Sequence, residues 1–222
     1  MRRTILSIGS LLFLIGAVCL PAQKQEPSRV PLVSDPQDPY VAKEYKVYRE
    51  RFGQIPTTVA VAANAPAFAK VMDDFRNEFG AAARMDRAIL ELSILRITQL
   101  EGGEYSYVHS LPVAKGCGIT QTQIDALPRW RESALFNAKQ RAVLAYADGM
   151  MEKAGPDDAT FKTLSSFFQP SEIVELTLTN GAFAMSSLYT KALRVPLEKS
   201  WGTGALTGGC EVSVPYHQIQ FE

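Results

Sequence analysis

The stretch RAILELSILRITQLEGG, residues 87–103, decides the fold that the sequence predicts. Asp86 stands where it can cap the start of a helix, and the glycine pair Gly102 and Gly103 ends it. Between these signals, apolar side chains surround most of the helical cylinder, which indicates a central helix. Glu91 lies among these apolar neighbours. A buried carboxylate needs a partner or has a raised pKa, whereas a glutamate at the edge of the apolar stripe would face water.

The next stretch, EYSYVHSLPVAKG, predicts a second helix over residues 104–116. Tyr105 and His109 are four residues apart and therefore share one face of that helix. Ser106 and Ser110 form the neighbouring stripe. The sequence thus gathers a phenol, an imidazole and two hydroxyls on adjoining faces of one helix.

The rest of the chain is helical in pattern. A segment over 64–80 precedes the central helix, and further helices are predicted over 137–154, 157–168 and 171–193. Pro112 is expected to interrupt or bend the helix that contains it. Because strand-like alternation of useful length is missing from the sequence, the predicted class is all-α.

Residues 1–22 have the layout of a secretory signal peptide. Basic residues come first, an apolar stretch follows from Ile5 to Leu20, and cleavage is expected after Ala22. An uncleaved membrane anchor and a lipid attached to Cys19 are the alternatives. Cleavage predicts an exported protein, periplasmic or extracellular, without stable membrane insertion.

Three segments follow the signal peptide. Residues 23–55 are interpreted as an extended or disordered lead-in with a short helix, residues 56–199 as a compact helical domain, and residues 200–222 as an irregular tail. With 23 basic and 23 acidic side chains the net charge is zero, and no basic cluster is present. Nucleic acid is therefore not an expected partner.

The cysteines support neither a zinc site nor a redox motif. The sequence has no CxxC, no Cys/His cluster and no HExxH, so no metal is expected. After signal cleavage Cys117 and Cys210 remain. An oxidising compartment permits a disulfide between them, but two cysteines so far apart carry no pairing information.

The chain from about Asn64 to Glu198 resembles the carboxymuconolactone decarboxylase and alkyl hydroperoxidase D superfamily, and within it the cysteine-free branch. The resemblance implies a compact AhpD-like helical domain that assembles as a trimer or hexamer, with sites near subunit contacts. It is carried by the segments NAPAF (64–68), RAILELSILRITQLEGGEYSYVHSLPVAKGCGIT (87–120), NAKQRAVLAYADGM (137–150) and ALRVPLE (192–198).

The redox signature of this superfamily is a glutamate, a Cys-x-x-Cys motif that begins twelve residues later, and a histidine four residues after the second cysteine. Glu91 matches the glutamate. Gly103 and Ser106 stand at the cysteine positions, and Ser110 stands at the histidine position, with His109 one residue earlier. A serine hydroxyl cannot be oxidised to a sulfenic acid, so the sequence excludes a CxxC-dependent peroxidase.

The resemblance implies acid/base decarboxylation of a small carboxylated lactone or related acid, without a cofactor. The sequence-based hypothesis is that His109 donates and accepts the proton. Glu91 would orient or tune the imidazole, and Tyr105 would be a second hydrogen-bond donor. The predicted substrate-binding residues are Ser106, Ser110 and Glu104.

Each of these assignments has a structural alternative. For His109 it is a buried or interface histidine bonded to a backbone carbonyl or to Glu91, and for Tyr105 it is packing. For the two serines it is that small residues let the helices approach each other. For Glu104 it is an interaction with the helix dipole. At the level of the protein, the alternatives to a lyase are a non-catalytic oligomeric binding protein with the same fold and a redox protein that uses one of the two remaining cysteines.

Overall fold

The computed structural model describes residues 26–82, 84–152 and 155–198, so the predicted signal peptide and C-terminal tail lie outside the described residues. Within these ranges the regular structure is entirely helical, which confirms the all-α prediction. No helix in them is both long and apolar enough to cross a membrane. In chain order the elements are α1 (Pro39–Phe52), α2 (Thr57–Ala62), α3 (Pro66–Ala82), α4 (Arg87–Leu100), α5 (Glu104–Gly116), α6 (Gln121–Ala126), a 3-10 helix (Leu127–Glu132), α7 (Ala138–Glu152), α8 (Asp158–Ser165) and α9 (Pro170–Leu193).

Helix α4 is the centre of the fold, as its apolar surface predicts. Every residue from Ile89 to Thr98 is buried, and the helix packs against α5, α7 and α9. Its start is capped by Asp86, whose carboxylate accepts a hydrogen bond from the backbone N–H of Ile89 at 3.1 Å. A helix that is apolar on all sides can be accommodated only by neighbours on all sides, and this requirement places α5 and α9 against it.

The glycine pair ends α4 and lets the chain turn, so that α5 packs against α4. Gly102 adopts a left-handed conformation with φ of 59°, and the N–H of Gly103 donates to the carbonyl of Thr98 at 2.8 Å. This is a Schellman motif, for which glycine is favoured because it lacks a Cβ. Helix α5 then runs continuously through Pro112, so the predicted interruption at that residue is wrong.

The lead-in before α1 is irregular, but it is bonded to the helical domain. The N–H of Arg29 donates to the carbonyl of Leu193 at 2.9 Å, and that of Val33 donates to Ala60 at 3.0 Å. Disorder, one of the two predicted alternatives, is therefore wrong for residues 26–38. Helix α1 packs against α3, so the segment before residue 56 belongs to the same helical body.

A second left-handed turn brings the end of the described chain to α2. Arg194 has φ of 52°, and the N–H of Val195 donates to Thr190 at 2.8 Å. The chain reverses there, and residues 195–198 run back to α2. At that helix Thr57 bonds the segment through its backbone N–H and its hydroxyl.

Candidate functional site

A cavity of about 250 Å³ contains five of the six predicted site residues. Its wall is mostly apolar and aromatic, with contributions from α1, α2, α3, α4, α5 and α9. A small, largely apolar cavity with a few convergent polar groups is typical of a site for a small organic ligand. The predicted site residues that line it are Glu91, Tyr105, Ser106, His109 and Ser110.

Glu104 is the predicted site residue that the structure does not bring to the cavity. It is exposed and lies in the first turn of α5. A carboxylate at that position interacts favourably with the positive end of the helix dipole. Its assignment as a substrate-binding residue is therefore corrected to the structural alternative.

Glu91 is paired with Arg87 and not with His109. The Arg87 Nε and Nη2 atoms lie 2.8 Å and 2.7 Å from Glu91 Oε1. The two residues are one helical turn apart on α4, at the spacing that favours a pair of opposite charges. The predicted orienting contact between Glu91 and His109 is thus replaced by a pair within one helix.

The environment of Glu91 suits a proton carrier. Its side chain is only 3% exposed, and burial raises its pKa, although the nearby Arg87 acts in the opposite direction. Both contacts with Arg87 use Oε1, and within the described ranges Oε2 accepts no hydrogen bond. An oxygen of a buried carboxylate in the cavity wall is therefore left for a ligand.

His109 is held by a residue that sequence reasoning missed. Its Nε2 lies 2.9 Å from Oε2 of Glu198, which follows α9 and is 89 positions away in the chain. Its Nδ1 lies 2.7 Å from the backbone carbonyl of Tyr105, so the alternative of a histidine bonded to a backbone carbonyl is present at one nitrogen. The imidazole also stacks on the Tyr105 ring, with centroids 4.2 Å apart.

The carboxylate of Glu198 accepts hydrogen bonds from residues of two helices, α2 and α5. The N–H of Thr57 donates to Oε1 at 2.7 Å, and the Tyr105 hydroxyl donates to the same oxygen at 2.6 Å. Burial alone would raise the pKa of Glu198, but the hydrogen bonds from His109, Tyr105 and Thr57 outweigh it and lower the pKa to about 2. Burial and the Glu198 charge raise the pKa of Tyr105, which therefore remains a phenol that donates.

The depressed pKa of Glu198 predicts a pH-dependent contribution to stability. A carboxylate whose pKa is lower in the folded than in the unfolded protein stabilises the fold above its ordinary pKa of about 4.5, and this stabilisation is lost as pH falls towards 2. The wild type should therefore exceed Glu198→Gln in free energy of unfolding, by on the order of 2 kcal/mol at pH 6. Urea unfolding at pH 6, 4 and 3 should show this difference shrinking, whereas a constant difference would contradict the assignment.

The two serines of the site differ in their bonding. The Ser106 and Ser186 hydroxyls lie 3.0 Å apart and bond each other across α5 and α9. Ser110 is buried and lines the cavity, and its hydroxyl bonds none of the residues that the structure describes. Ser110 is therefore a hydroxyl that can donate to a ligand oxygen.

Gly103, at the first cysteine position of the superfamily signature, has no room for a side chain. A Cβ there would lie 2.1 Å from Ser187 Oγ, 2.4 Å from its Cβ and 3.0 Å from its Cα. The clash includes the backbone of α9, so a rotamer change at Ser187 cannot relieve it. The close approach of α5 and α9 thus excludes a cysteine at this position as the helices stand.

Replacing Gly103 by alanine should consequently lower the free energy of unfolding by about 1–3 kcal/mol, the usual cost of overpacking. Denaturant unfolding of Gly103→Ala, Ser187→Gly and the double variant measures the coupling between the two positions. The double variant should recover part of the loss, because the Ser187 side-chain atoms are removed. Additive losses would show that these two residues do not limit the helix approach.

The part of the chain that the structure describes holds no cluster of three His, Cys, Asp or Glu side chains suited to a metal ion. Cys117 is disulfide-bonded, so its sulfur is not a free thiolate. Cys210, the other cysteine that remains after the predicted signal cleavage, lies outside the described residues. The polar groups that line the cavity include carboxylates, hydroxyls and an imidazole.

Comparison with known proteins agrees with this architecture. The model of the carboxymuconolactone decarboxylase family matches residues 66–149, which span α3 to α7. Solved structures with AhpD-like folds superpose on most of the helical body. Residues 66–149 thus resemble the carboxymuconolactone decarboxylase family, and the helical body has an AhpD-like fold.

Two solved structures share this fold at low sequence identity, and one further protein is similar in sequence. An uncharacterized peroxidase-related protein from Silicibacter sp. TM1040 superposes with a TM-score of 0.69 at 17% identity, covering 81% of this chain and 96% of that one. The debrominase Bmp8, in its C82A variant with bound 2,3,4-tribromopyrrole, gives a TM-score of 0.64 at 16% identity, covering 78% and 95%. The uncharacterized protein YnjA of Escherichia coli is 24% identical over 174 residues, covering 77% of this chain and 91% of YnjA.

Arg87 and Glu198 are the two site residues that the sequence-based hypothesis lacked. Arg87 precedes Glu91 by four residues, so the rule for charge pairs on one helix would have found it. Glu198 follows the last helix and carries no local signal that links it to His109. Only the reversal of the chain at Arg194 brings it to the site.

Proposed function

We propose that this protein is a member of the carboxymuconolactone decarboxylase and AhpD superfamily and an acid/base lyase that decarboxylates a small carboxylated lactone or a related ring acid. The observation that carries the proposal is Glu91. It is a buried carboxylate with a raised pKa, it is paired with Arg87 through one oxygen, and its other oxygen is available in a small, largely apolar cavity. Decarboxylation needs a positioned proton donor of this kind and needs no thiol.

In the proposed reaction the bond between the ring and its carboxylate carbon breaks, and carbon dioxide leaves. The bonding electrons pass into the conjugated lactone carbonyl. The acid form of Glu91 gives its proton to the ring carbon and becomes a carboxylate, which Arg87 stabilises. A proton from water then restores the acid form.

The Ser110 hydroxyl, another polar group of the cavity, can stabilise the negative charge that develops on the substrate when carbon dioxide leaves. The Ser110 hydroxyl is placed to donate to an oxygen of the ring compound as negative charge accumulates there. His109 takes a different role from the one that the sequence predicted. Because both of its ring nitrogens are bonded to protein acceptors, it forms part of the cavity wall, and the proton-carrying role passes to Glu91.

The size and lining of the cavity support a small ring as the ligand. A volume of about 250 Å³ is slightly below the usual range for pockets that bind small molecules. Aromatic side chains from α1 and α9, among them Tyr48, Phe52 and Phe183, form much of its wall. The similar debrominase Bmp8 was crystallised with 2,3,4-tribromopyrrole, which is also a small ring.

A substrate panel tests the proposal. The full-length protein is incubated with carboxylated γ-lactones and small aromatic carboxylic acids, and the release of carbon dioxide is measured together with binding. We expect at least one of the acids to be decarboxylated without an added thiol. Binding without release of carbon dioxide would contradict the lyase and would favour the non-catalytic binding protein.

Export and self-association complete the proposal. The basic and apolar layout of residues 1–22 supports secretion, and the disulfide-bonded state of Cys117 suits an oxidising compartment. A trimer or hexamer is supported by an exposed apolar stripe along one face of α9, because stripes of this kind commonly mark subunit contacts. Its members are Val174, Leu178, Met185 and Leu188.

A further inference from the structure

His109 has an acceptor at each ring nitrogen. The carbonyl of Tyr105 lies 2.7 Å from Nδ1, and a carboxylate oxygen of Glu198 lies 2.9 Å from Nε2. Carbonyl oxygens and ionised carboxylates only accept hydrogen bonds. Both ring nitrogens must then donate, and an imidazole that donates from both nitrogens is the charged imidazolium.

Glu198 has the surroundings of an ionised group. Its side chain is 2% exposed, and its oxygens receive donors from the Thr57 backbone, the Tyr105 hydroxyl and the His109 ring. Charge-assisted hydrogen bonds of this number stabilise the carboxylate over the acid, and the lowered pKa of Glu198 agrees. The second proton therefore resides on His109 and not on Glu198.

We propose that Glu198 is a positioning residue that holds His109 in the cavity wall as a doubly protonated imidazolium of fixed orientation. The segment after α9 thereby fixes a side chain of α5 in the wall of the cavity. One carboxylate oxygen fixes the imidazole, while the other ties the same segment to Thr57 and Tyr105. The imidazolium places a cationic ring beside a cavity proposed to bind an organic acid, where it can stabilise negative charge.

Two other carboxylates line the cavity. Glu91 bonds Arg87, and Asp73 accepts from the Tyr40 hydroxyl at 3.3 Å. Glu198 thus supplies the carboxylate at Nε2 of the imidazole. The remaining titratable groups that line the cavity or contact the ring are Tyr48, Tyr105 and Tyr189.

Nitrogen-15 NMR of the imidazole rings tests the proposal directly. The chain has two histidines, so a His109→Ala variant assigns the signals of the full-length protein. At neutral pH the wild type should show two protonated ring nitrogens for His109. In Glu198→Gln the amide can donate to Nε2, and the ring should change to the neutral form with its proton on Nδ1.

Glu132→Gln, which changes an exposed glutamate at the end of the 3-10 helix, is the matched control and should keep the wild-type pattern. A neutral ring in the wild type would overturn the proposal, as would an imidazolium that persists in Glu198→Gln. If Glu198→Gln does not fold, the wild-type spectrum still decides, since a neutral ring there is sufficient to reject the proposal.

The inference rests on the proposed function only for its role in binding an acid. NMR measures the protonation of His109 and not turnover. A failure of this inference can therefore be told apart from a failure of the proposed function.

Discussion

Replacing Asp148 by alanine is expected to lower the free energy of unfolding by about 3–5 kcal/mol, the usual cost of removing one partner from a buried ion pair. Asp148 is 1% exposed. It accepts from Arg96 Nε at 2.5 Å and from Trp130 Nε1 at 3.0 Å, and it also pairs with Arg131. Without it the buried Arg96 guanidinium on α4 loses its counter-charge. Urea unfolding at neutral pH measures the effect.

The exposed pair between Lys70 and Asp74 on α3 provides the matched control. Asp74→Ala should change the free energy of unfolding by less than about 1 kcal/mol, because water screens an exposed pair. Replacing Asp148 and Arg96 together by apolar residues should cost less than Asp148→Ala alone, since no unpaired charge then remains. A loss for Asp148→Ala as small as that for Asp74→Ala would show that this buried pair does not hold α4, α7 and the 3-10 helix together.

Where the determining signals are local, the fold could be predicted from the sequence. The all-α class, the central position of α4 and its cap at Asp86 follow from apolar periodicity and one capping residue. The glycine pair at Gly102 and Gly103 marked the end of α4 because a left-handed turn there favours glycine. These features depend on neighbours within a few residues along the chain.

What the sequence could not predict depends on contacts between distant segments. Glu198 meets His109 only because the chain reverses at Arg194, and no periodic pattern encodes that meeting. Gly103 was recognised as a helix breaker, but its second constraint, the close approach of Ser187 on α9, required the packing of two helices. Glu104 shows the opposite error, since its position beside the site residues in sequence suggested a proximity that the helix geometry does not give.

The two residues at the cysteine positions of the superfamily signature are small, and the structure gives a reason at each. At the first cysteine position, Gly103 lies against Ser187 with no space for a Cβ. At the second, the Ser106 hydroxyl is bonded to Ser186. The packing of α5 on α9 therefore accommodates small residues at these two positions, and Glu91, which matches the glutamate of the signature, is buried.

Replacing Glu91 by glutamine is expected to lower kcat/KM for decarboxylation by about 10²- to 10⁴-fold, the usual contribution of a general acid. Glutamine has nearly the same size and can still accept from Arg87 through its amide oxygen, so the shape of the cavity is retained. It has no proton of suitable acidity to transfer. Because burial raises the pKa of Glu91, with Arg87 acting against it, the acid form persists to higher pH than for an ordinary glutamate. The wild-type kcat/KM should therefore fall as pH rises through that pKa.

The most direct test of the claim that Glu91 carries the proton is the rate of carbon dioxide release by Glu91→Gln on the acid that the wild type decarboxylates fastest. Glu132→Gln, which alters an exposed glutamate outside the cavity, should match the wild type. The proposed role of Glu91 predicts that Glu91→Gln binds the acid with similar affinity and releases carbon dioxide at least about 100-fold more slowly. Release at the wild-type rate by Glu91→Gln would contradict it.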